Sequence, residues 1–183
     1  MKKLKKFKEG HIITREPFLI NNRRYTGSKA KLIQWIKETI QNRCKSIGRF
    51  TDIFAGTGIV SSSSLSLFDS IIINDFLFSN EVIYRGFFQK GRWSKKKVSK
   101  FINRYSKIDT KNVTDNYFSE NFGGKFFSEN DSKIIGKIRE DLEVEKNSFT
   151  TKEFSILLSS LIYSTDKVAN TVGHYDAYRI KKG

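Results

Sequence analysis

Two glycines and an acidic side chain stand at positions where a nucleotide-type ligand could be held. Gly56 and Gly58 follow an apolar, β-branched run at residues 50–54, and glycine lets the backbone approach a ligand that a Cβ would keep away. Asp75 ends a second apolar run and follows Gly56 by 19 residues, close to the roughly 20-residue spacing at which an acid meets ribose hydroxyls. The pattern predicts a ligand site, although an ordinary tight connection between strand and helix would use the same glycines.

Asp52 narrows the choice of ligand. No Gly-Lys-Ser/Thr follows the turn, so it is not a P-loop, and the third glycine of the dinucleotide fingerprint is absent. An acid in the strand that leads into the turn disfavours a pyrophosphate and suits an ammonium group. S-adenosylmethionine has an amino-acid ammonium at one end and a ribose at the other. We therefore expect Asp52 and Asp75 to contact the two ends of this cofactor.

The loop at residues 25–29, Tyr-Thr-Gly-Ser-Lys, offers a place for the carboxylate of the same cofactor. Ser28 can cap the helix that follows, and a helix start offers free N–H groups. Lys29 adds a positive charge, although a capped helix with a surface lysine is the alternative. The apolar residues expected on the buried face of that helix are Leu32, Ile33, Ile36 and Ile40.

Local signals predict the elements that must position these groups. Residues 50–54 and 70–73 are predicted strands, while residues 59–68 and 79–89 are predicted helices. Strand, glycine turn, helix and strand in succession are typical of a parallel α/β unit.

Two capping patterns predict where later helices begin. Ser128 with Asp131 is typical of an N-cap before a helix that ends near Glu145, and Thr150 with Glu153 forms a capping box. The second pattern precedes a helix predicted at about residues 153–165.

Three separate blocks resemble the amino-terminal half of the DNA adenine-N6 methyltransferases, in the subgroup whose cofactor motifs come first and whose catalytic motif comes last. These blocks are residues 25–29, residues 52–58 (Asp-Ile-Phe-Ala-Gly-Thr-Gly) and residues 73–75 (Ile-Asn-Asp). Their order and spacing make the likeness more specific than any one block. Later stretches are also similar to this family, at residues 84–88, 126–139 and 166–178, so the resemblance covers most of residues 23–178.

The resemblance implies a role for each matching residue. Tyr25 would pack near the cofactor, Lys29 would lie near its carboxylate, and Asp75 would be the acid that contacts the ribose. The residues expected to bind S-adenosylmethionine are Tyr25, Gly27, Ser28, Lys29, Asp52, Phe54, Gly56, Gly58 and Asp75.

The same resemblance implies a doubly wound, Rossmann-like α/β core, present in part, with a mostly helical insertion. Residues 1–22 would be a basic lead-in and residues 23–89 the cofactor-binding part of the core. Residues 90–148 would be a basic helical insertion that recognises the target. Residues 149–183 would hold a helix and a segment that leads to the catalytic half.

The charge of the chain favours double-stranded DNA as a partner. Net charge is +15, from 34 basic and 19 acidic residues, and such an excess favours a polyanion. Residues 90–111 hold nine of the basic residues, with Trp93, Phe101 and Tyr105 between them. An amphipathic helix with solvated lysines is the alternative. The expected DNA contacts are Lys95, Lys96, Lys97, Lys100 and Arg104.

Composition argues against several other kinds of site. Cys44 is the only cysteine, and His11 and His174 are the only histidines, so neither a disulfide nor a metal site is expected. No apolar run is long enough for a transmembrane helix, and the basic start lacks the apolar segment of a secretory signal. We expect a cytoplasmic protein. His174, Tyr175, Asp176 and Tyr178 would serve either in catalysis or in positioning beside the target site.

The motif that performs amino-group methylation is absent from these residues. That motif, Asp/Asn-Pro-Pro-aromatic, accepts the hydrogens of the adenine amino group and stacks on the flipped base. Pro17 is the only proline, so no Pro-Pro pair exists. We therefore expect the cofactor-binding half of a split restriction-modification methyltransferase, whose second polypeptide supplies the motif. An inactive remnant and a non-catalytic nucleic-acid-binding module are the alternatives.

Overall fold

The computed structural model describes residues 20, 27, 29–44, 48–171 and 175–179. Three residues discussed above, Tyr25, Ser28 and His174, lie outside the described residues, as do residues 1–19 of the basic lead-in.

Two strands and seven α-helices form the regular structure of the described part. The strands are β1 (Arg49–Asp52) and β2 (Ser70–Ile73). The helices are α1 (Ile33–Arg43), α2 (Ile59–Ser64), α3 (Phe78–Phe87), α4 (Lys95–Asn103), α5 (Tyr117–Phe122), α6 (Glu129–Val144) and α7 (Thr151–Val168). Short 3-10 turns occupy Ala30–Leu32, Thr110–Asn112 and Lys146–Ser148. None of these helices is long and apolar enough to cross a membrane.

β1 and β2 lie side by side in parallel, with α2 in the connection between them. The register places Arg49 opposite Ser70 and Asp52 opposite Ile73. Because parallel strands end at the same edge, the segments after Asp52 and Ile73 meet there. This mixed helix and strand arrangement confirms the predicted α/β class, while a complete doubly wound sheet stays a prediction.

The first strand and the helix after it are shorter than predicted. β1 ends at Asp52, because the chain turns at Ile53, whose carbonyl oxygen accepts a hydrogen bond from Asn74 Nδ2 at 3.0 Å. α2 ends at Ser64 and not at Phe68. Four consecutive serines favour helix only weakly, because their hydroxyls compete for backbone groups.

α1 is less buried than its apolar spacing predicts. Leu32 is 54% exposed, and no residue of the helix is fully buried. The prediction of a buried face is therefore wrong for Leu32, and the other three residues of that face are half-buried. α2 is the main helix that packs against α1, and one short neighbour cannot cover a full apolar face.

α7 connects three groups of buried side chains. Leu157 packs with Val98 and Phe101 of α4 and with Leu142 of α6. Ile162 and Tyr163 pack against Ala55, Ile83 and Tyr84 below the glycine turn. Leu161 contacts a third group, formed by Phe127, Ile135 and Ala169. The helix begins at the predicted capping box of Thr150 and Glu153, and the predicted cap of α6 by Ser128 is also present.

Replacing Gly86 with alanine should destabilise the contact between α3 and α7. A Cβ at this position would collide with Ser159 Oγ and lie 3.0 Å from the Ser155 carbonyl oxygen. Overpacking of this kind costs about 1–3 kcal/mol, which urea denaturation would detect. Gly48 is the matched control, because a Cβ there meets nothing within 4 Å. Equal unfolding midpoints for G86A and G48A would contradict the close approach of the two helices.

Candidate functional site

A cavity of about 420 Å³ lies at the edge where β1 and β2 end. It includes five of the residues predicted to bind a ligand, and the structure therefore brings separate parts of the chain together there. Those five are Gly27, Lys29, Phe54, Gly56 and Asp75. A second cavity, of about 270 Å³, lies between α3 and α7 and has no acid or base among its lining residues.

The glycine turn is held from two sides. Gly56, at φ +55°, donates its N–H to Asp75 Oδ2 at 2.8 Å. The hydroxyl of Tyr84, on α3, donates to the Gly56 carbonyl oxygen at 2.6 Å. These two bonds fix the turn to the end of β2 and to α3, so its backbone forms a preorganised wall of the cavity.

Asp75 accepts two further hydrogen bonds. Its Oδ1 accepts from the Leu77 N–H at 3.0 Å and from Asn80 Nδ2 at 2.9 Å. Partial burial raises the pKa of the Asp75 carboxyl, but the bonds from Leu77, Asn80 and Gly56 outweigh it, so the pKa lies below its ordinary value of 3.8. The side chain is therefore a fixed carboxylate at neutral pH. An ionised carboxylate only accepts hydrogen bonds, so the ligand group that suits it is a donor such as a hydroxyl.

Asp52 forms a hydrogen bond with the helix that follows the glycine turn. It is half-buried, and its Oδ2 accepts a hydrogen bond from the Ser61 hydroxyl at 2.7 Å. Ser61 is fully buried in α2, so this bond fixes the start of α2 against β1. Asp52 is not among the residues that line the cavity, and its contact with an ammonium group stays a prediction.

Gly58 supports the turn from behind. Its φ is +77°, and a Cβ would lie 3.2 Å from both Ile20 Cδ1 and Tyr84 Cε1. The position therefore requires glycine for its backbone conformation and for close packing. Gly58 is not part of the cavity wall. The spacing of the two glycines in the sequence therefore does not show which one lines the cavity and which one packs behind it.

The apolar side of the cavity combines Phe54, which the sequence analysis predicted, with residues that it missed, namely Ile59, Val60, Phe76 and Leu77. Phe76 is 97% exposed and Phe54 is 77% exposed, and both line the cavity with Ile59, Val60 and Leu77. Exposed apolar groups beside a fixed carboxylate suit a ligand with both a flat apolar ring and hydroxyls. The sequence does offer one indication of this apolar side, because Phe76 is an aromatic residue directly after Asp75, the candidate ribose-binding acid.

Lys29 brings a positive charge to the cavity. It is exposed and lies immediately before the 3-10 turn that leads into α1, without a side-chain cap of its own. Within the described residues it forms no ion pair, so its ammonium group is available to an anionic ligand.

Two of the five candidate DNA contacts are engaged within the protein. Lys97 pairs with Glu153 at 3.3 Å and also donates to the Ser148 carbonyl oxygen. Arg104 donates to both carboxylate oxygens of Glu145 at 2.6 and 2.9 Å. Lys95, Lys96 and Lys100 are exposed and have no ion pair in the described part of the chain.

The described residues after α7 pack against the connection between α5 and α6 and against α7 itself. Tyr178 pairs with Thr171 in an antiparallel bridge, and its ring lies edge-on to Phe126 at 5.2 Å. The Tyr175 hydroxyl donates to Asp166 Oδ1 at 3.1 Å. These contacts hold Tyr175 and Tyr178 in place, and their role in catalysis or in positioning stays a prediction.

Comparison with known proteins identifies the family. The model of the D12 class N6 adenine-specific DNA methyltransferases matches residues 25–182. The chain is 35% identical over 161 residues to the type II methyltransferase M.CviAII of Paramecium bursaria Chlorella virus 1. It is 30% identical over 162 residues to the type II methyltransferase M.NlaIII of Neisseria lactamica. It is 27% identical over 169 residues to the modification methylase LlaI of Lactococcus lactis subsp. lactis. No solved structure matches.

The matches cover most of this chain and a smaller part of each relative. The first two alignments include 84% of the chain and 48% of the relative, and the third includes 85% of the chain and 27% of the relative. The chain thus spans about half the length of M.CviAII and M.NlaIII. The family match and the cavity at the ends of two parallel strands agree with each other, and the chain belongs to the D12 class N6 adenine-specific DNA methyltransferases.

Proposed function

We propose that these residues form the S-adenosylmethionine-binding part of a DNA adenine-N6 methyltransferase of restriction-modification type. The observation that carries the proposal is the convergence of the glycine turn, the fixed Asp75 carboxylate and Lys29 on one cavity. Enzymes of this family generally use S-adenosylmethionine. The cavity volume of about 420 Å³ is within the roughly 300–1,000 Å³ of small-molecule sites.

The residues of the cavity fit the chemical groups of this cofactor. Asp75 would accept a hydrogen bond from a ribose hydroxyl, and Lys29 would pair with the carboxylate of the methionine end. Phe76 and its apolar neighbours would contact the adenine ring. Bound there, S-adenosylmethionine would supply an electrophilic methyl group, while the protein binds and orients it.

Transfer of that methyl group to adenine requires residues outside this sequence. The 183 residues contain no Pro-Pro pair, and the exocyclic amino group must be held by the Asp/Asn-Pro-Pro-aromatic motif. We propose that the segment with this motif, on a second polypeptide, packs on exposed apolar side chains that do not line the cavity, such as Ile72 and Phe78. The complete enzyme would act on DNA in the cytoplasm.

Lys29 provides a specific test of the cofactor assignment. Replacing Lys29 with methionine should weaken binding of S-adenosylmethionine by about 0.5–1 kcal/mol, because an exposed ion pair has roughly that strength. Decarboxylated S-adenosylmethionine should bind both proteins equally. Calorimetric titration measures both affinities, and K31M is the matched control, since Lys31 is exposed and does not line the cavity. An equal loss for both ligands would contradict the contact with the carboxylate.

A non-catalytic nucleic-acid-binding module is the second candidate. The net charge of +15 and the exposed lysines of α4 favour it. Such a module would bind DNA with strong salt dependence, and neither S-adenosylmethionine nor the change of Asp75 to alanine would alter its affinity. Measuring DNA affinity with and without cofactor, at several salt concentrations, separates the two functions.

A further inference from the structure

Trp93 lies at the surface in the connection between α3 and α4. It is 49% exposed, although tryptophan is among the more buried residue types on average. Among the described residues, no aromatic ring stacks on it and no cation lies over it. The indole therefore offers an apolar face that the rest of the described chain does not cover.

The backbone on both sides of Trp93 is fixed by α7. The Arg92 carbonyl oxygen accepts a hydrogen bond from the Thr150 hydroxyl at 2.9 Å. The Ser94 N–H donates to Glu153 Oε1 at 3.0 Å, and Glu153 is only 3% exposed. The indole is thus presented from an ordered backbone, which lowers the conformational entropy lost when a ligand binds.

The surroundings of Trp93 are strongly basic. No acidic residue occurs between Glu81 and Asp109, and Glu153, the acid that reaches this loop, is buried and pairs with Lys97. The exposed basic residues on either side of the indole, none of which has an ion pair within the described residues, are Lys90, Arg92, Lys95, Lys96 and Lys100.

We propose that Trp93 is a DNA-contacting residue, whose indole packs against a base or a deoxyribose while the cations beside it contact phosphates. The proposal rests on the proposed function, since it takes DNA as the substrate. Phosphate contacts position a protein on DNA without distinguishing one base sequence from another. An aromatic side chain, in contrast, can stack on bases or insert between base steps. Trp93 would supply the aromatic contact, and the lysines would supply the phosphate contacts.

Intrinsic fluorescence tests this contact directly, because the chain has two tryptophans, Trp35 and Trp93. The W35F variant retains Trp93 as its only indole, and W93F retains Trp35, which is 65% exposed on α1. Adding a short DNA duplex should quench the emission of W35F and leave that of W93F unchanged. W93A should weaken binding to a fluorescein-labelled duplex by about 5- to 100-fold, while W93F weakens it less, because base stacking on an aromatic ring has roughly this effect.

Other results would overturn the proposal. Labelled DNA that binds W35F without a change in Trp93 emission, together with a W93A variant that binds as tightly as the unaltered chain, would show that Trp93 makes no DNA contact. DNA binding by the chain would be unaffected by that result. Heparin that quenches Trp93 as strongly as DNA does would show that polyanion binding alone causes the signal. If the unaltered chain does not bind DNA, this contact fails, while titration with S-adenosylmethionine tests the proposed cofactor-binding function separately. Should W93A misfold, the fluorescence of W35F and W93F still decides the question.

Discussion

Replacing Glu153 with alanine should lower the free energy of unfolding by about 1–3 kcal/mol, the usual cost of leaving hydrogen-bond donors without a buried acceptor. The Glu153 side chain is 4% exposed and pairs with Lys97 at 3.3 Å. It also accepts hydrogen bonds from the Ser94 N–H at 3.0 Å and the Thr150 N–H at 2.9 Å. The change would leave these groups without their partner at the starts of both α4 and α7. Urea denaturation, followed by circular dichroism, measures the loss.

The pH dependence of stability gives an independent check on Glu153. The hydrogen bond from Thr150 lowers the pKa of its carboxyl, burial opposes it, and the bonds from Ser94 and Lys97 lower it further, so the pKa lies below its ordinary value of 4.5. A folded-state pKa below the unfolded one stabilises the protein at neutral pH, and this contribution is lost as the pH falls below about 4.5. E153Q should therefore lose less stability than the unaltered chain over that range.

The control for Glu153 is Glu140, an exposed residue of α6 that has no ion pair among the described residues. E140A should change the free energy of unfolding by no more than about 0.5 kcal/mol. If E153A and E140A had equal effects, or if E153Q followed the same pH curve as the unaltered chain, Glu153 would not connect α4 to α7 in the way described.

Replacing Asp75 with alanine should weaken S-adenosylmethionine binding by about 1.5–3 kcal/mol, or roughly 10- to 150-fold. The change removes the proposed contact with the ribose. It also releases the Gly56 N–H, which Asp75 Oδ2 holds at 2.8 Å, so the turn that forms the cavity wall loses its support. Calorimetric titration of the purified variant gives the affinity directly.

Two further variants separate the ribose contact from general damage to the fold. D75N retains the size of the side chain and one acceptor oxygen, while its NH2 group can only donate, so it should weaken binding less than D75A, which has neither. Asp69 is exposed and lies just before β2, so D69N changes an acid at the opposite end of the same strand and should leave affinity unchanged. Equal affinity for D75A and D69N would contradict the assignment of Asp75.

Structural features that depend on residues close together in the chain could be predicted from the sequence. β2 has the predicted bounds, Ser70–Ile73, because an apolar β-branched run between polar residues has few alternatives. The capping box of Thr150 and Glu153 is also present, since it depends on residues three positions apart. The position of Asp75 beside the glycine turn followed from the geometry of parallel strands.

Contacts between residues far apart in the sequence could not be predicted in the same way. Arg104 pairs with Glu145, 41 residues away, and Lys97 pairs with Glu153, so a run of basic residues did not reveal which cations remain available. Gly56 and Gly58 look equivalent in sequence. Only the packing of Tyr84 and Ile20 shows that Gly58 faces away from the cavity.

The cavity at the ends of β1 and β2 is the proposed binding site for S-adenosylmethionine. Calorimetric titration of the folded chain with this cofactor tests this assignment most directly, with circular dichroism to show that the protein is folded. We expect saturable binding at one site, and competition by S-adenosylhomocysteine, which retains the ribose, the adenine and the amino-acid end. A folded chain that gives no binding heat, and that does not compete for labelled cofactor, would contradict the account.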